Sequence, residues 1–291
     1  MLTPTGKGEF FPEGGFAGGS GKQSGGKRGI SLGRGADGTV YRKIVDGERR
    51  QQQRDEGWIA AIPAVAGAVT AVATAAGRVA LFALDAEGVV LRAEIANDQS
   101  GGERPAKWQK LGGCFTGAVT AVALATSVEL LASNDTGAAF HLTLPVKGGK
   151  PESDWLRIGE GLQGGLQTVS LSKDTLAVFA LGRRGEVMHK IHRNGHWLKE
   201  GWQVISGASG VLLGAASAGS DAIESDSMGV ALAVIGEDLK LHTLLWRDYP
   251  AKKPERWVSH GDFQSWLVRP MKAKPAPQRS QSKPASRRRS R

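Results

Sequence analysis

GAVTAVATAAGRVALFALDAEGVVLRAEI at 67–95 and GAVTAVALATSVELLASNDTGAAFHLTL at 117–144 decide the fold. Both open on the same heptapeptide, Gly67–Ala73 and Gly117–Ala123, fifty residues apart. Further on, each passes from a short apolar run through a turn of Asp, Asn and Gly into a second, alternating run. That is the pattern of a β-hairpin. It returns as TLAVFALGRRGEVMHKIH at 175–192, more loosely as GVALAVIGEDLKLHTLLW at 229–246, and earlier as ISLGRGADGTVYRKIV at 30–45. The turn glycines Gly38, Gly88, Gly137 and Gly185 are 50, 49 and 48 residues apart. Trp58, Trp108, Trp155, Trp202 and Trp257 recur at intervals of 50, 47, 47 and 55.

Each unit therefore reads as an Ala/Val-rich first strand, a two-strand hairpin, and a last strand ending near Trp. About fifty residues with four strands is the signature of a propeller blade. No stretch keeps a 3.6-residue apolar period for three turns, and 41 glycines disfavour helix interiors. The expected fold is an all-β propeller over 30–270 with five four-stranded blades. FQSWLVRP at 263–270 reads as an unpaired first strand that returns to the 30–45 hairpin and closes the ring, removing exposed sheet edges. The alternative is an open ring completed by a second copy of the chain, a homo-oligomer.

Composition agrees with a folded chain. Of 291 residues, 40% are hydrophobic and 23% charged. A single cysteine, Cys114, excludes an intramolecular disulfide framework and a Cys-based zinc cluster. The net charge of +10 is concentrated at one end: residues 271–291 carry eight Lys or Arg and no acid, so residues 1–270 carry about +2. That tail, with Arg287, Arg288, Arg289 and Arg291, reads as disordered. It is either a salt-sensitive contact for a polyanion or a solvated tail without a dedicated partner. Residues 1–29 contain ten glycines and read as a flexible leader. No secretory signal is visible, so the expected location is the cytoplasm, or outside the cell by a route without such a signal.

Several local patterns lead nowhere. GRGADG at 33–38 fits the dinucleotide fingerprint, but a β-rich run follows where a helix is needed. Lys22 is followed by Gln23, where a phosphate loop needs Ser or Thr. His189 and His192 lie three apart on a strand and point to opposite faces, so they do not share a metal ion. SNDTGAAF at 133–140 resembles a sialidase Asp box, in that family a structural turn away from the chemistry, and the only tyrosines, Tyr41 and Tyr249, lie in no pattern that fits the nucleophile. Residues 59–77 and 111–128 lack charge over membrane-spanning lengths. Their Ala-rich composition and shared register instead fit first strands crowded around an axis.

The unit at 175–207 resembles the blades of bacterial and fungal propeller lectins of the fucose-binding type. The resemblance rests on Phe179, Gly182, Gly185, His189, Lys190, Gly195, Trp197, Trp202 and Gly207. GRGADGTVYRK at 33–43 matches through Gly35, Asp37, Gly38, Tyr41 and Lys43. It spans about 30–262 and fades between Trp202 and Trp257; the family carries more blades and more Trp and Tyr. It implies a non-enzymatic module without cofactor or metal, whose partners are glycans or glycoproteins bound at shallow sites on or between blades. Such sites need an aromatic face against the sugar ring and fixed polar groups for its hydroxyls. The candidate faces are Trp197, Trp202, Trp155, Trp108 and Trp246. The candidate polar partners are Arg42, Arg92, His141 and His189, each four residues after a turn glycine. The periodic Trp read first as blade anchors buried between neighbouring sheets, and the His/Arg set as rim residues serving a neighbouring loop. Trp197 and Trp246 stand outside the periodic series, so they are the expected exposed, functional pair. A protein-interaction propeller without sugar sites and a sialidase-like hydrolase are the alternative functions.

Overall fold

The structure, a computed structural model, describes residues 28–34, 38–46, 59–62, 65, 68–74, 78–96, 107–151, 153–218, 229–247, 249–250, 253–254 and 256–262. The predicted leader up to 27, the closing strand at 263–270 and the basic tail lie outside the described residues.

The first repeat holds β1 (Arg28–Arg34), β2 (Val40–Asp46) and β3 (Ile59–Ile62), and the second β4 (Thr70–Thr74), β5 (Arg78–Leu84), β6 (Val90–Ala96) and β7 (Gln109–Gly112). The third holds β8 (Thr120–Ala123), β9 (Ser127–Ser133), β10 (Ala139–Pro145) and β11 (Leu156–Gly159). The fourth begins with β12 (Leu162–Ser172), β13 (Thr175–Gly182), β14 (Glu186–Arg193) and the short β15 (His196–Trp197). Then β16 (Gln203–Ala218), β17 (Gly229–Gly236), β18 (Lys240–Trp246) and β19 (Val258–Asp262) follow. All pairings are antiparallel, and apart from β14 with β16, which skips the short β15, they join neighbours in sequence; every predicted hairpin is present.

β16 belongs to two repeats. Its start, Gln203–Ile205, pairs with β14 as an outer strand, and its second half, Gly210–Ala218, pairs with β17 as an inner strand. Gly207 and Gly210, both at positive φ, carry the turn between them. Among the described residues no strand pairs with the free edge of β1, where the other repeats carry their inner strand.

The hairpins are built by the turn chemistry that the sequence displays. The Asp85 carboxylate accepts the N–H groups of Glu87 and Val89, and the Asn134 side-chain oxygen accepts that of Ala138. Gly88 and Gly137 follow at φ +80° and +77°, a region that costs a residue with a Cβ about 1–2 kcal/mol. Their carbonyls serve a second purpose. Gly38, Gly88, Gly137 and Gly185 accept N–H bonds from Val65, Phe115, Leu162 and Gly210, all at 2.9–3.0 Å. Each hairpin tip is thereby latched to the chain that has just left the outer strand of the same repeat.

The second strand of each inner repeat is buried on both faces, because sheets pack on either side. Four cores result. Leu81 and Ala83 face the first repeat, and Ala80 and Phe82 face the third. Leu131 meets Leu176 and Val178 of the fourth. Phe179 and Ile205 meet Val230 and Leu232 of the fifth. The inner strands β4, β8, β12 and β16 lie side by side. Thr70 Oγ1 donates to Val119 O at 2.5 Å, and the Thr120 and Thr168 hydroxyls bond at 2.7 Å. Small side chains permit this approach, so the uncharged runs at 59–77 and 111–128 contain inner strands. Among the described residues no helix is long and apolar enough to cross a membrane.

Candidate functional site

Trp108, Trp155, Trp202 and Trp257 stand immediately before the outer strands rather than at their ends, and lie sideways on the preceding repeat; Trp58 lies outside the described residues. Trp155 Nε1 donates to Leu111 O at 3.1 Å, and Trp257 Nε1 to Ser206 O at 3.1 Å. Trp202 stacks so tightly on the third repeat that a Cβ at Gly159 would lie 2.3 Å from its indole nitrogen. Trp108 packs half-buried against the core between the first two repeats.

The series four residues beyond each hairpin tip also faces the next repeat. Arg92 is buried; it donates to Gly149 O at 2.8 Å and pairs with Glu94. His141, 4% exposed, packs edge-on against His192 and Trp197 of the fourth repeat. His189 is buried against Trp246, and its Nδ1 lies 2.5 Å from the Tyr249 hydroxyl. These three side chains therefore stitch successive sheets together. The Arg42 side chain lies outside the described residues. Trp246 is 6% exposed, against its expected exposure. It occupies the position of His192 and Leu144 on the third strand, where side chains enter the core between sheets.

His189 and His192 point to opposite sides of β14, as strand geometry requires: His189 meets the fifth repeat and His192 the third. Burial, reinforced by the charge of Lys199, pushes His189 down to about 4. Burial also lowers His192, and the neighbouring His141 adds to the effect. Burial alone raises the Tyr249 hydroxyl.

Among the described residues, the interface between the third and fourth repeats is the most polar, with Glu129, His141, Lys190 and His192 all buried there. The buried Glu129 accepts from Ser127 Oγ at 2.5 Å and Thr143 Oγ1 at 2.8 Å, with His141 Nε2 at 2.7 Å. Desolvation would raise this carboxyl, yet the bonds from His141, Ser127 and Thr143 outweigh it and hold it below the ordinary carboxylate range. His192 Nδ1, Trp197 Nε1 and Trp202 Nε1 are buried without a partner. Lys190, 4% exposed, reaches across to donate to Ile158 O at 2.8 Å and also donates to Glu200 O. Its ammonium lies 5.7 Å from the centre of the Trp197 ring.

Above this interface opens a shallow cleft of about 490 Å³, lined by Arg157, Gly159, Glu160, Lys190, Trp197 and Lys199 among others. Arg157 and Glu160 form an ion pair across its rim. Of the predicted residues, the cleft brings Trp197 to its wall, with Trp202 behind Gly159 and His141 below. Trp155, Trp108, Trp246, Arg92 and His189 lie at other interfaces. Sequence reasoning missed Glu129, Arg157 and Lys190 as site residues. One of the three carries a visible signal: Glu129 stands where the other repeats have Ala80 and Ala177, whereas Lys190 shares its position with Lys43 as well as with Ala93 and Leu142.

Solved structures with a similar fold include the SapL1 lectin in complex with α-methyl fucoside, with TM-score 0.51 and 15% identity over 79% of this chain and 75% of that one. The fucose-binding Aleuria aurantia lectin, described as a six-bladed β-propeller, matches with TM-score 0.51 and 14% identity over 82% and 76% of the two chains. The BP39L lectin of Burkholderia pseudomallei matches with TM-score 0.55 and 16% identity over 80% and 66%. At these identities the likeness establishes the propeller fold. No family model and no curated protein matches the chain in sequence.

Proposed function

We propose that the chain is a non-enzymatic, carbohydrate-binding propeller that takes a monosaccharide unit, fucose among the candidates, in the cleft between its third and fourth repeats. The observation that carries this reading is the juxtaposition of the Trp197 indole with Arg157, Glu160, Lys190 and Lys199 around a shallow cleft of about 490 Å³. A sugar needs an apolar wall for its C–H face and fixed donors and acceptors for its hydroxyls, and this cleft offers both. The buried His141–Glu129 pair and His192 hold the indole from behind, so that its orientation is set before a ligand arrives. The solved lectins of similar fold support the same reading.

The test is binding on a broad glycan array, followed by titration of Trp fluorescence with the sugars that score. Binding is expected, with at least a tenfold loss in Trp197→Ala, roughly the contribution of one sugar-stacking ring. An array without any signal would overturn the proposal and favour a protein-interaction scaffold.

A further inference from the structure

Aligned on their hairpin tips, the repeats place Lys43, Ala93, Leu142, Lys190 and Leu244 at one position; the Lys43 side chain lies outside the described residues. Ala93, Leu142 and Leu244 are buried in the cores between sheets. Lys190 is buried as deeply, but it carries an ammonium into the interface. Such a replacement is costly unless the charge is compensated. Among the described residues no carboxylate lies within ion-pair distance of Lys190 Nζ. Glu129 is occupied by Ser127, His141 and Thr143, Glu160 pairs with Arg157, and the Glu200 side chain only attracts from further away. The ammonium meets two backbone carbonyls, Ile158 O and Glu200 O, which leaves one of its three N–H groups.

A second departure accompanies the first. At the two flanking interfaces the carbonyl equivalent to Ile158 O, that of Leu111 or Ser206, accepts the anchoring indole N–H. Here Lys190 has taken that carbonyl, and Trp202 Nε1 is buried without a partner. The stitch used elsewhere has been given up to fix an ammonium in the wall of the cleft. The ammonium keeps one N–H free of the two carbonyls in the wall of a cleft, where the acceptor oxygen of a ligand can reach it.

We infer that the sugar received in this cleft bears an anionic oxygen group, a carboxylate or a sulfate, and that the Lys190 ammonium is its counter-ion. This rests on the carbohydrate-binding reading above and narrows it. Lys199, also on the wall, adds to the positive potential; among the described residues its ammonium donates to the neutral Gln203 side-chain oxygen.

The experiment is calorimetric titration of the full chain with methyl glucuronide against methyl glucoside, and with a sulfated glucoside against the same parent, at low and at physiological salt. Each anionic sugar is expected to bind about tenfold or more tightly than its parent, as a charge-assisted hydrogen bond would give. Added salt should narrow the gap. Lys190→Met should abolish it, and Lys190→Arg should keep part of it. A preference for the glucuronide alone assigns a carboxylate, and for the sulfated sugar alone a sulfate. Equal binding of charged and neutral sugars, or a preference that survives in Lys190→Met, overturns the inference and leaves the carbohydrate-binding reading standing. No binding of any sugar overturns both. If Lys190→Met does not fold, acetylation of Lys190 in the native protein, read by mass spectrometry, decides: the anionic sugar should protect it and the neutral parent should not, and absence of protection overturns the inference.

Discussion

Leu239 shows how one residue can depart from a repeat and carry the cost. It occupies the hairpin-tip position held by Gly88, Gly137 and Gly185, donates the same N–H to the residue three before it, and has φ +57° with its side chain 61% exposed. A left-handed conformation costs a leucine about 1–2 kcal/mol, and glycine's larger loss of freedom on folding offsets part of the relief. Leu239→Gly is therefore expected to stabilise the protein by roughly 0.5–1 kcal/mol, seen as a higher urea midpoint at unchanged m-value. A midpoint that stays put would mean that the leucine side chain contributes packing equal to the strain. Lys190 is the opposite case: it stands where three other repeats bury an apolar side chain, but in the wall of a cleft, where a partner has room to enter.

At the scale of elements, the latch between hairpin tip and outgoing chain is the recurrent device. A Cβ on Gly137 would fall 2.3 Å from Leu162 O, the backbone oxygen beside the latching N–H. Gly137→Ala should cost at least 2 kcal/mol, from the positive φ together with a clash that only backbone movement relieves, read as a lower midpoint in chemical unfolding. A loss no larger than that of an ordinary surface substitution would mean that the latch is dispensable. The hairpins were legible because their period of two and their turn residues are local properties. So was the small-residue demand of the inner strands. The place of the Trp, one residue before the outer strand, was legible only to within the strand, since an indole's partner lies on another repeat. The continuous β16 was not legible at all: the glycines at 207 and 210 look like a loop, and only the pairing of both halves reveals one strand serving two sheets. Trp246 was misread for a related reason. It breaks the Trp period, which suggested a surface role, yet it fills the position of Leu144 in the next core. Lys190 was legible as a matched position, shared with Lys43, but its burial was not, and burial is what makes its charge informative.

For the molecule as a whole, the stitched interfaces set the response to acid. His189, pushed down to about 4, and His192, also lowered, are held neutral in the folded state, whereas in the unfolded chain they titrate near 6.5. The unfolded state therefore binds protons first. The stability contributed by the neutral rings is complete above about pH 6.5 and is lost as the pH falls toward 4, roughly 3 kcal/mol for His189 alone. Carboxyls held low in the fold, Glu129 and Asp85 among them, extend the decline below their ordinary range. Melting temperature measured against pH should fall across the 6.5–4 window, and His189→Gln should flatten that fall. A profile level from neutrality to pH 4 would contradict the burial of both rings.

A chain that repeats one heptapeptide faces a hazard in folding: a sheet can dock beside the wrong sibling. Among the described residues, three of the four sequential junctions are closed by different fasteners: a guanidinium on a backbone carbonyl, an imidazole wedged between another imidazole and an indole, and an imidazole against a phenol. Misordered neighbours would bury a cation against an aromatic cage, or a phenol with nothing to bond. The order of assembly is thus written in mismatches, and an engineer who evened out these junctions to a consensus would erase it.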